Sequence, residues 1–239
     1  MLAAFGAKGV PEPLPGGTGR SWRVGSIVIK PMDRSAVELA WQTEILSSIE
    51  QDGFRVARPF PDVVDGWTAA EHVPGEHRPR LWREIIGVGA RFHAALARVP
   101  RPDAIIDARA DPWAVGDRVA WGEVLFPELD DILAALEPVD SPSQLVHGDL
   151  TGNLLFHDEL PPAIIDFAPY WRPTEFASAI VVADALNWEG APDELANVVH
   201  PQYLLRALVY RAVTSRVTGR AGPIPELDLA RMIVASGSR

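Results

Sequence analysis

The chain has 239 residues, room for one large domain or two small lobes, with an ordinary globular composition of 47% hydrophobic and 23% charged residues. Its formal charge of −10 argues against nucleic-acid or anionic-membrane partners and suits a cationic small molecule. It contains no cysteine, which excludes disulfides, thiolate catalysis and cysteine-ligated zinc.

The first ten residues are too short for a secretory apolar region and carry no basic leader. No run approaches the ~18 apolar residues of a membrane-spanning helix. The expected address is the cytoplasm.

Along the chain, 22 prolines and 19 glycines punctuate the sequence without any internal period. Residues 11–20, Pro-Glu-Pro-Leu-Pro-Gly-Gly-Thr-Gly-Arg, predict a turn-rich loop. Trp22-Arg23-Val24 and Ile27-Val28-Ile29-Lys30 flank Gly25-Ser26, a hairpin signal. Ser35-Ala36-Val37-Glu38 matches a capping box, so a helix should start there with an apolar face of Val37, Trp41, Ile45 and Ile49. Val63-Val64 and Trp67-Thr68-Ala69 flank Asp65-Gly66, a second hairpin signal. The N-terminal part is thus predicted as hairpin, helix, hairpin, ending near Glu71 to Gly75.

Leu81, Ile85, Val88, Phe92 and Leu96 recur at helical spacing and predict a helix over 80–98. A loop around 100–112, a helical stretch near 114–136, short strands between 144 and 166, and a mainly helical remainder from about 174 follow.

The chemistry concentrates in Leu145-Val146-His147-Gly148-Asp149-Leu150-Thr151-Gly152-Asn153, followed 13 residues after Asn153 by Asp166 in Ile164-Ile165-Asp166-Phe167. Short apolar runs flanked by Gly and Pro predict buried strands, which deliver Asp149, Asn153 and Asp166 at their ends. Carboxylate and amide oxygens on a rigid frame are what Mg²⁺ and a phosphate chain require. Taken singly, Asp149 is as readily a turn cap and Asn153, after Gly152, a turn residue.

These two segments resemble the catalytic and metal loops of the aminoglycoside phosphotransferase and choline kinase group. The resemblance implies an α+β, bilobal protein-kinase-like fold. Residues 1–73 would form a small β-rich nucleotide-binding lobe, and residues 74–239 a larger, mainly helical catalytic lobe. It implies an ATP- and Mg²⁺-dependent phosphotransferase acting on a small-molecule hydroxyl. Asp149 would be the general base, and Asn153 and Asp166 the metal ligands.

By the same resemblance Lys30 would contact the nucleotide phosphates, with Glu44 on the following helix as its carboxylate partner. Gly17 and Gly19 would belong to the loop over the phosphates. Glu71 and Val73, in Ala69-Ala70-Glu71-His72-Val73, would offer backbone groups to adenine. Asn153 follows Asp149 by four residues, one fewer than in the related kinases. Gly148 replaces the Arg common in protein kinases, no Asp-Phe-Gly stands at 166–168, and no Ala-Pro-Glu follows. The pattern therefore favours a small-molecule kinase over a protein kinase. The shortened spacing keeps open a second expectation, a nucleotide-binding regulatory module without catalysis.

Further polar and aromatic groups bear on the site. His147 is expected to orient its loop by hydrogen bonding. Phe167-Ala168-Pro169-Tyr170-Trp171-Arg172-Pro173 either shapes an acceptor site or packs against the C-terminal helices. Asp184, Glu189, Asp193 and Glu194 either recognise a cationic acceptor or form a solvated face. His72 and His77 are separated by Pro74-Gly75, which rules out a helical zinc pair.

Overall fold

The structure is a computed structural model and describes residues 1–15, 19–220 and 224–237. The strands are β1 (Glu12–Pro13), β2 (Trp22–Val24), β3 (Ile27–Pro31), β4 (Arg55–Val56), β5 (Trp67–Glu71), β6 (Gln144–His147), β7 (Leu154–Leu155), β8 (Ala163–Ile164) and β9 (Pro169–Arg172). The helices are α1 (Ala36–Ser48), α2 (Trp82–Leu96), α3 (Asp103–Ile106), α4 (Pro112–Ala120), α5 (Asp130–Leu133), α6 (Thr174–Trp188), α7 (Pro201–Val217) and α8 (Pro225–Gly237). This is the mixed α+β class that the sequence predicts.

Two compact units are interleaved in sequence. The first comprises Met1–Arg78, Ala90–Val99 and Gly152–Ala168; the second comprises Pro79–Gly89, Pro100–Thr151 and Pro169–Arg239. No helix among the described residues is long and apolar enough to cross a membrane.

In the first unit an antiparallel sheet runs β1-β2-β3-β5. The Gly25-Ser26 turn joins β2 to β3 with Trp22 opposite Ile29. At the second hairpin signal Asp65 and Gly66 have φ of 53° and 77°, the left-handed pair whose twist matches antiparallel strands. Only Trp67–Glu71 becomes a strand there; Val64 contributes a single bridge to Trp67. Val24, Ile27, Ile29 and Ala69 are buried with Phe5 beneath the sheet, and Trp22 and Trp67 pack against them with ring centroids 5.4 Å apart.

Helix α1 is capped as predicted, with the Glu38 N–H donating to Ser35 Oγ at 3.1 Å. Its buried face differs from the expected one: Leu39, Gln42 and Leu46 are buried, and Val37 is exposed. Apolar residues surround α1, so periodicity alone does not choose the face. The polar Gln42 goes inside because its amide is fully met there, donating to Glu38 Oε1 at 3.0 Å and to the Phe167 carbonyl at 3.1 Å.

A second sheet, β4-β8-β7, pairs β4 parallel and β7 antiparallel to β8. It sets Leu154 opposite Ile164, and the Ile165 N–H donates to the Asn153 carbonyl at 3.0 Å. The ladder thus ties the segment ending in Asn153 to the segment entering Asp166. Phe167 is buried against Phe92, edge to face at 5.4 Å, and Trp41 stacks on it at 6.3 Å.

The second unit is mainly helical around a two-stranded antiparallel ladder, β6-β9, with His147 opposite Pro169. Helix α7 is buried on every side from Tyr203 to Val213, Arg206 and Arg211 included, and lies in the core. Gly116 on α4 lets α7 approach: a Cβ there would meet the Tyr210 carbonyl and Thr214 Oγ1 at 2.6 Å. The helical stretch expected near 114–136 is broken. Helix α4 ends at Ala120, Gly122 takes a φ of 72°, and Pro127 opens a 3-10 turn before α5. The loop expected around 100–112 contains the short α3.

Candidate active site

Within the first unit a cavity of about 270 Å³ gathers Val28 and Lys30 of β3, Ala69 to Val73 from β5 onward, Leu39, Gln42 and Leu46 of α1, and Asn153, Leu155, Ile165 and Asp166. Strand alternation places Val28 and Lys30 on one face of β3 while Ile27 and Ile29 fill the core. Of the residues singled out in the sequence, Lys30, Glu71, Val73, Asn153 and Asp166 line this one cavity. The Glu71 N–H is taken by the Arg58 carbonyl and that of His72 by the Ser26 carbonyl, both at 2.9 Å.

Asp166 is the electrostatic centre of the cavity. It holds a φ of 48°, an uncommon conformation that Asp tolerates better than most residues. Its Oδ1 accepts from Lys30 Nζ at 2.8 Å and from Arg34 Nη2. Lys30 also donates to Asp33 Oδ2 at 2.7 Å. Arg34 Nη1 donates to Gln42 Oε1 at 2.9 Å and to the Phe167 carbonyl at 3.1 Å. Burial works against the Arg34 charge, but Asp166, Asp33 and Glu38 more than offset it, and its pKa rises.

Asn153 and Asp166 offer amide and carboxylate oxygens without thiolate, a donor set suited to Mg²⁺. No cluster of three or more His, Asp or Glu among the described residues makes a self-sufficient metal centre. A divalent ion held here would take its remaining ligands from phosphate and water, the usual habit of Mg²⁺ in nucleotide sites.

Asp149 lies in the second unit. Its N–H donates to His147 Nδ1 at 3.1 Å, and His147 is fully buried, so the imidazole folds the loop back on itself. Asp149 Oδ1 accepts from Arg211 Nη2 at 2.8 Å, and Arg211 is bound by Asp184 through Nε at 2.8 Å and Nη2 at 2.6 Å. Burial pushes the Asp184 carboxyl up against the pull of Arg211. Burial also opposes the Arg211 charge, which Asp184 restores first, leaving it well above its ordinary value. Gly148 is required by contact: a Cβ there would sit 2.3 Å from the Tyr170 ring.

Other expected residues fall elsewhere. Glu44 is exposed on α1 and lines no part of the cavity; Asp33 and Asp166 are the partners of Lys30 instead. The reason is the register of α1, which turns Gln42 inward. Gly17 lies outside the described residues. Gly19 has a φ of 67° and open space around it, while Leu14, Pro15 and Ser21 of the same β1-β2 connection line the cavity. Phe167 and Tyr170 are packing residues. Asp184 is committed to Arg211, and Glu189 accepts from Trp82 Nε1. Asp193 and Glu194 are exposed.

Three polar residues of these sites were not singled out by the sequence: Asp33 and Arg34, a charged pair just after β3, and Arg211. An Arg within the apolar run of α7 was itself a signal, since a buried charge needs a partner.

Comparison with known proteins bears on the fold and the family. The structure is similar to the choline kinase LicA from Streptococcus pneumoniae, with a TM-score of 0.62 and 10% identity over 98% of this chain and 96% of that one. It is similar to APH(2'')-IIa in its ternary complex with streptomycin and ATP, with a TM-score of 0.56 and 13% identity over 92% and 90%. A choline/ethanolamine kinase family protein from Mesorhizobium loti matches with a TM-score of 0.54 and 15% identity over 99% and 89%. No curated protein matches the chain. Residues 12–170 match the phosphotransferase enzyme family, a span from β1 into β9 that includes Lys30, Asp149, Asn153 and Asp166. The chain belongs to that phosphotransferase enzyme family.

Proposed function

We propose that this protein is an ATP- and Mg²⁺-dependent kinase that phosphorylates a hydroxyl of a small molecule. The observation that carries this reading is the cavity of the first unit, where Lys30, Asn153 and Asp166 stand with the backbone of Glu71 to Val73. Val28, Leu39, Leu46 and Leu155 give that cavity the apolar walls an adenine ring needs. Lys30 supplies a fixed cation for the phosphates from a paired strand. Asp166 and Asn153 would hold Mg²⁺, which when bound neutralises and aligns the phosphate chain.

Asp149 orients the acceptor hydroxyl and takes its proton. Phosphoryl transfer through a loose transition state asks more for position than for strong basicity, so an Asp is an adequate base. Arg211 fixes the carboxylate of Asp149 through Oδ1. The acidic chain favours acceptors carrying positive charge.

Solved structures with this fold name choline kinase, ethanolamine kinase, fructosamine-3-kinase and macrolide 2'-phosphotransferase. Amino alcohols, sugar amines, aminoglycosides and macrolides therefore form the first acceptor panel. The test is ADP release from ATP and Mg²⁺ with each acceptor. Saturable, acceptor-dependent release that disappears in Asp149→Asn is expected. Acceptor-dependent release that persists in Asp149→Asn contradicts the assigned base.

A further inference from the structure

Asp166 Oδ1 carries two cationic donors, and only one of them, Lys30, belongs to the pattern read from the sequence. The second, Arg34, is built in. Its side chain is 14% exposed, and its guanidinium is gripped by Gln42 Oε1, the Phe167 carbonyl and Asp33 Oδ1. Gln42, itself 1% exposed, is held by Glu38 and by the same Phe167 carbonyl. A planar fork fixed by three acceptors points at one carboxylate oxygen in a cavity lined by Lys30, Asn153 and Asp166. The α1 side chain that bonds Arg34 directly is the neutral Gln42, with Glu38 of the same helix behind it on the Gln42 amide.

The charges have a consequence for ligands. A divalent cation at Asp166 alone would crowd against two positive groups already on that oxygen. A polyphosphate alone would meet Asp166 and Asp33 beside Lys30 and Arg34. When both arrive together, the phosphates take Arg34 and Lys30 while Asp166 is released to the metal, and every charge is matched.

Resting on the nucleotide-binding reading above, we propose that Arg34 is a second phosphate-binding cation of the nucleotide site and that it couples metal binding to nucleotide binding. Arg34 guards Asp166 against metal alone and transfers to phosphate when metal and nucleotide enter together. The proposal assigns a binding role to a residue outside the family pattern read from the sequence.

The test uses the full chain and its Arg34→Gln and Arg34→Lys variants, with folding checked by circular dichroism. Binding of Mn²⁺ without nucleotide is followed by electron paramagnetic resonance, and binding of ADP with Mg²⁺ by calorimetry. Arg34→Gln should bind Mn²⁺ alone severalfold more tightly and ADP with Mg²⁺ about tenfold more weakly, one phosphate contact being a charge-assisted hydrogen bond. Arg34→Lys keeps the charge without the fork and should fall between. A variant that loses ADP affinity with Mn²⁺ affinity unchanged or reduced overturns the coupling. Unchanged ADP affinity in Arg34→Gln, with the wild type binding ADP, overturns the proposal alone. Failure of the wild type to bind any nucleotide overturns the reading on which it rests.

Discussion

Arg211 Nη2 donates to Asp149 Oδ1 at 2.8 Å while Nε and Nη2 also donate to Asp184 at 2.8 and 2.6 Å. A buried arginine therefore spans two acids, one 2% exposed and one 37% exposed. The inner pair holds the guanidinium still, and the guanidinium holds the exposed carboxylate. Removing one partner leaves the other buried and unbalanced, a change that costs about 3–5 kcal/mol in comparable pairs. Arg211→Met and Asp184→Asn should each lower the unfolding free energy by that order in urea titrations. Little change in either would mean that the pair is not buried as described.

Asp149→Asn should leave the fold and nucleotide binding intact, because Arg211 keeps Asp184 and Asn retains an acceptor oxygen. Transfer should fall by roughly 10²–10⁴-fold, the usual contribution of general acid–base catalysis. Parallel measurement of kcat and of nucleotide affinity separates the two effects. Loss of nucleotide affinity together with kcat would assign Asp149 to binding instead.

Gly148→Ala places a methyl group 2.3 Å from the Tyr170 ring. Tyr170 cannot yield easily, since its hydroxyl contacts Arg109 at 3.1 Å and Tyr210 at 3.2 Å and Arg109 covers its face at 4.4 Å. Overpacking of this kind costs about 1–3 kcal/mol. Thermal unfolding should register that loss, with a fall in kcat because Gly148 adjoins Asp149.

Glu44→Ala should change stability by less than about 0.5 kcal/mol, as for surface sites in general, and leave nucleotide affinity alone. Lys30→Met should weaken nucleotide binding strongly. Calorimetric titration of both variants decides between Glu44 and the Asp33–Asp166 pair as the setting of Lys30.

Asp111 caps α4 by accepting from the Ala114 N–H at 3.0 Å and pairs with Arg109 at 2.9 and 3.0 Å. Burial raises its carboxyl pKa, but Arg109 and the cap outweigh burial and hold it below the usual carboxylate range. A depressed folded pKa contributes stability above the unfolded value of about 3.9, and that contribution is lost as pH falls through the folded pKa. Asp111→Asn should therefore be less stable than wild type near pH 7, with the difference shrinking in strong acid. A pH-independent difference would contradict this.

Local rules carried much of the fold. Gly25-Ser26 and Asp65-Gly66 are turns whose backbone signs follow from residue type, and Ser35 caps α1 through its own Oγ. The 80–98 periodicity produced α2 because one strong stripe, Ile85, Val88, Phe92 and Leu96, is buried. What stayed hidden depends on partners remote in sequence. The inward face of α1 is chosen by the Phe167 carbonyl, 125 residues beyond Gln42. The break after Ala120 follows from Gly122 and Pro127, which outweigh an apolar pattern. Lys30 was singled out by family resemblance, and Asn153 and Asp166 by residue type and spacing as well; the fold brings all three to one cavity. Arg34 was not singled out, because nothing in its own neighbourhood announces the acid it meets at position 166.

The most direct test of the nucleotide site is the melting temperature of the purified protein with ATP, GTP or ADP, each with and without Mg²⁺, in wild type and Asp166→Ala. Ligand that binds only the native state raises the melting temperature by mass action. A Mg²⁺-dependent rise with ATP that Asp166→Ala abolishes is expected. No rise at millimolar nucleotide, or one unchanged in Asp166→Ala, would contradict the nucleotide and metal roles assigned to this cavity.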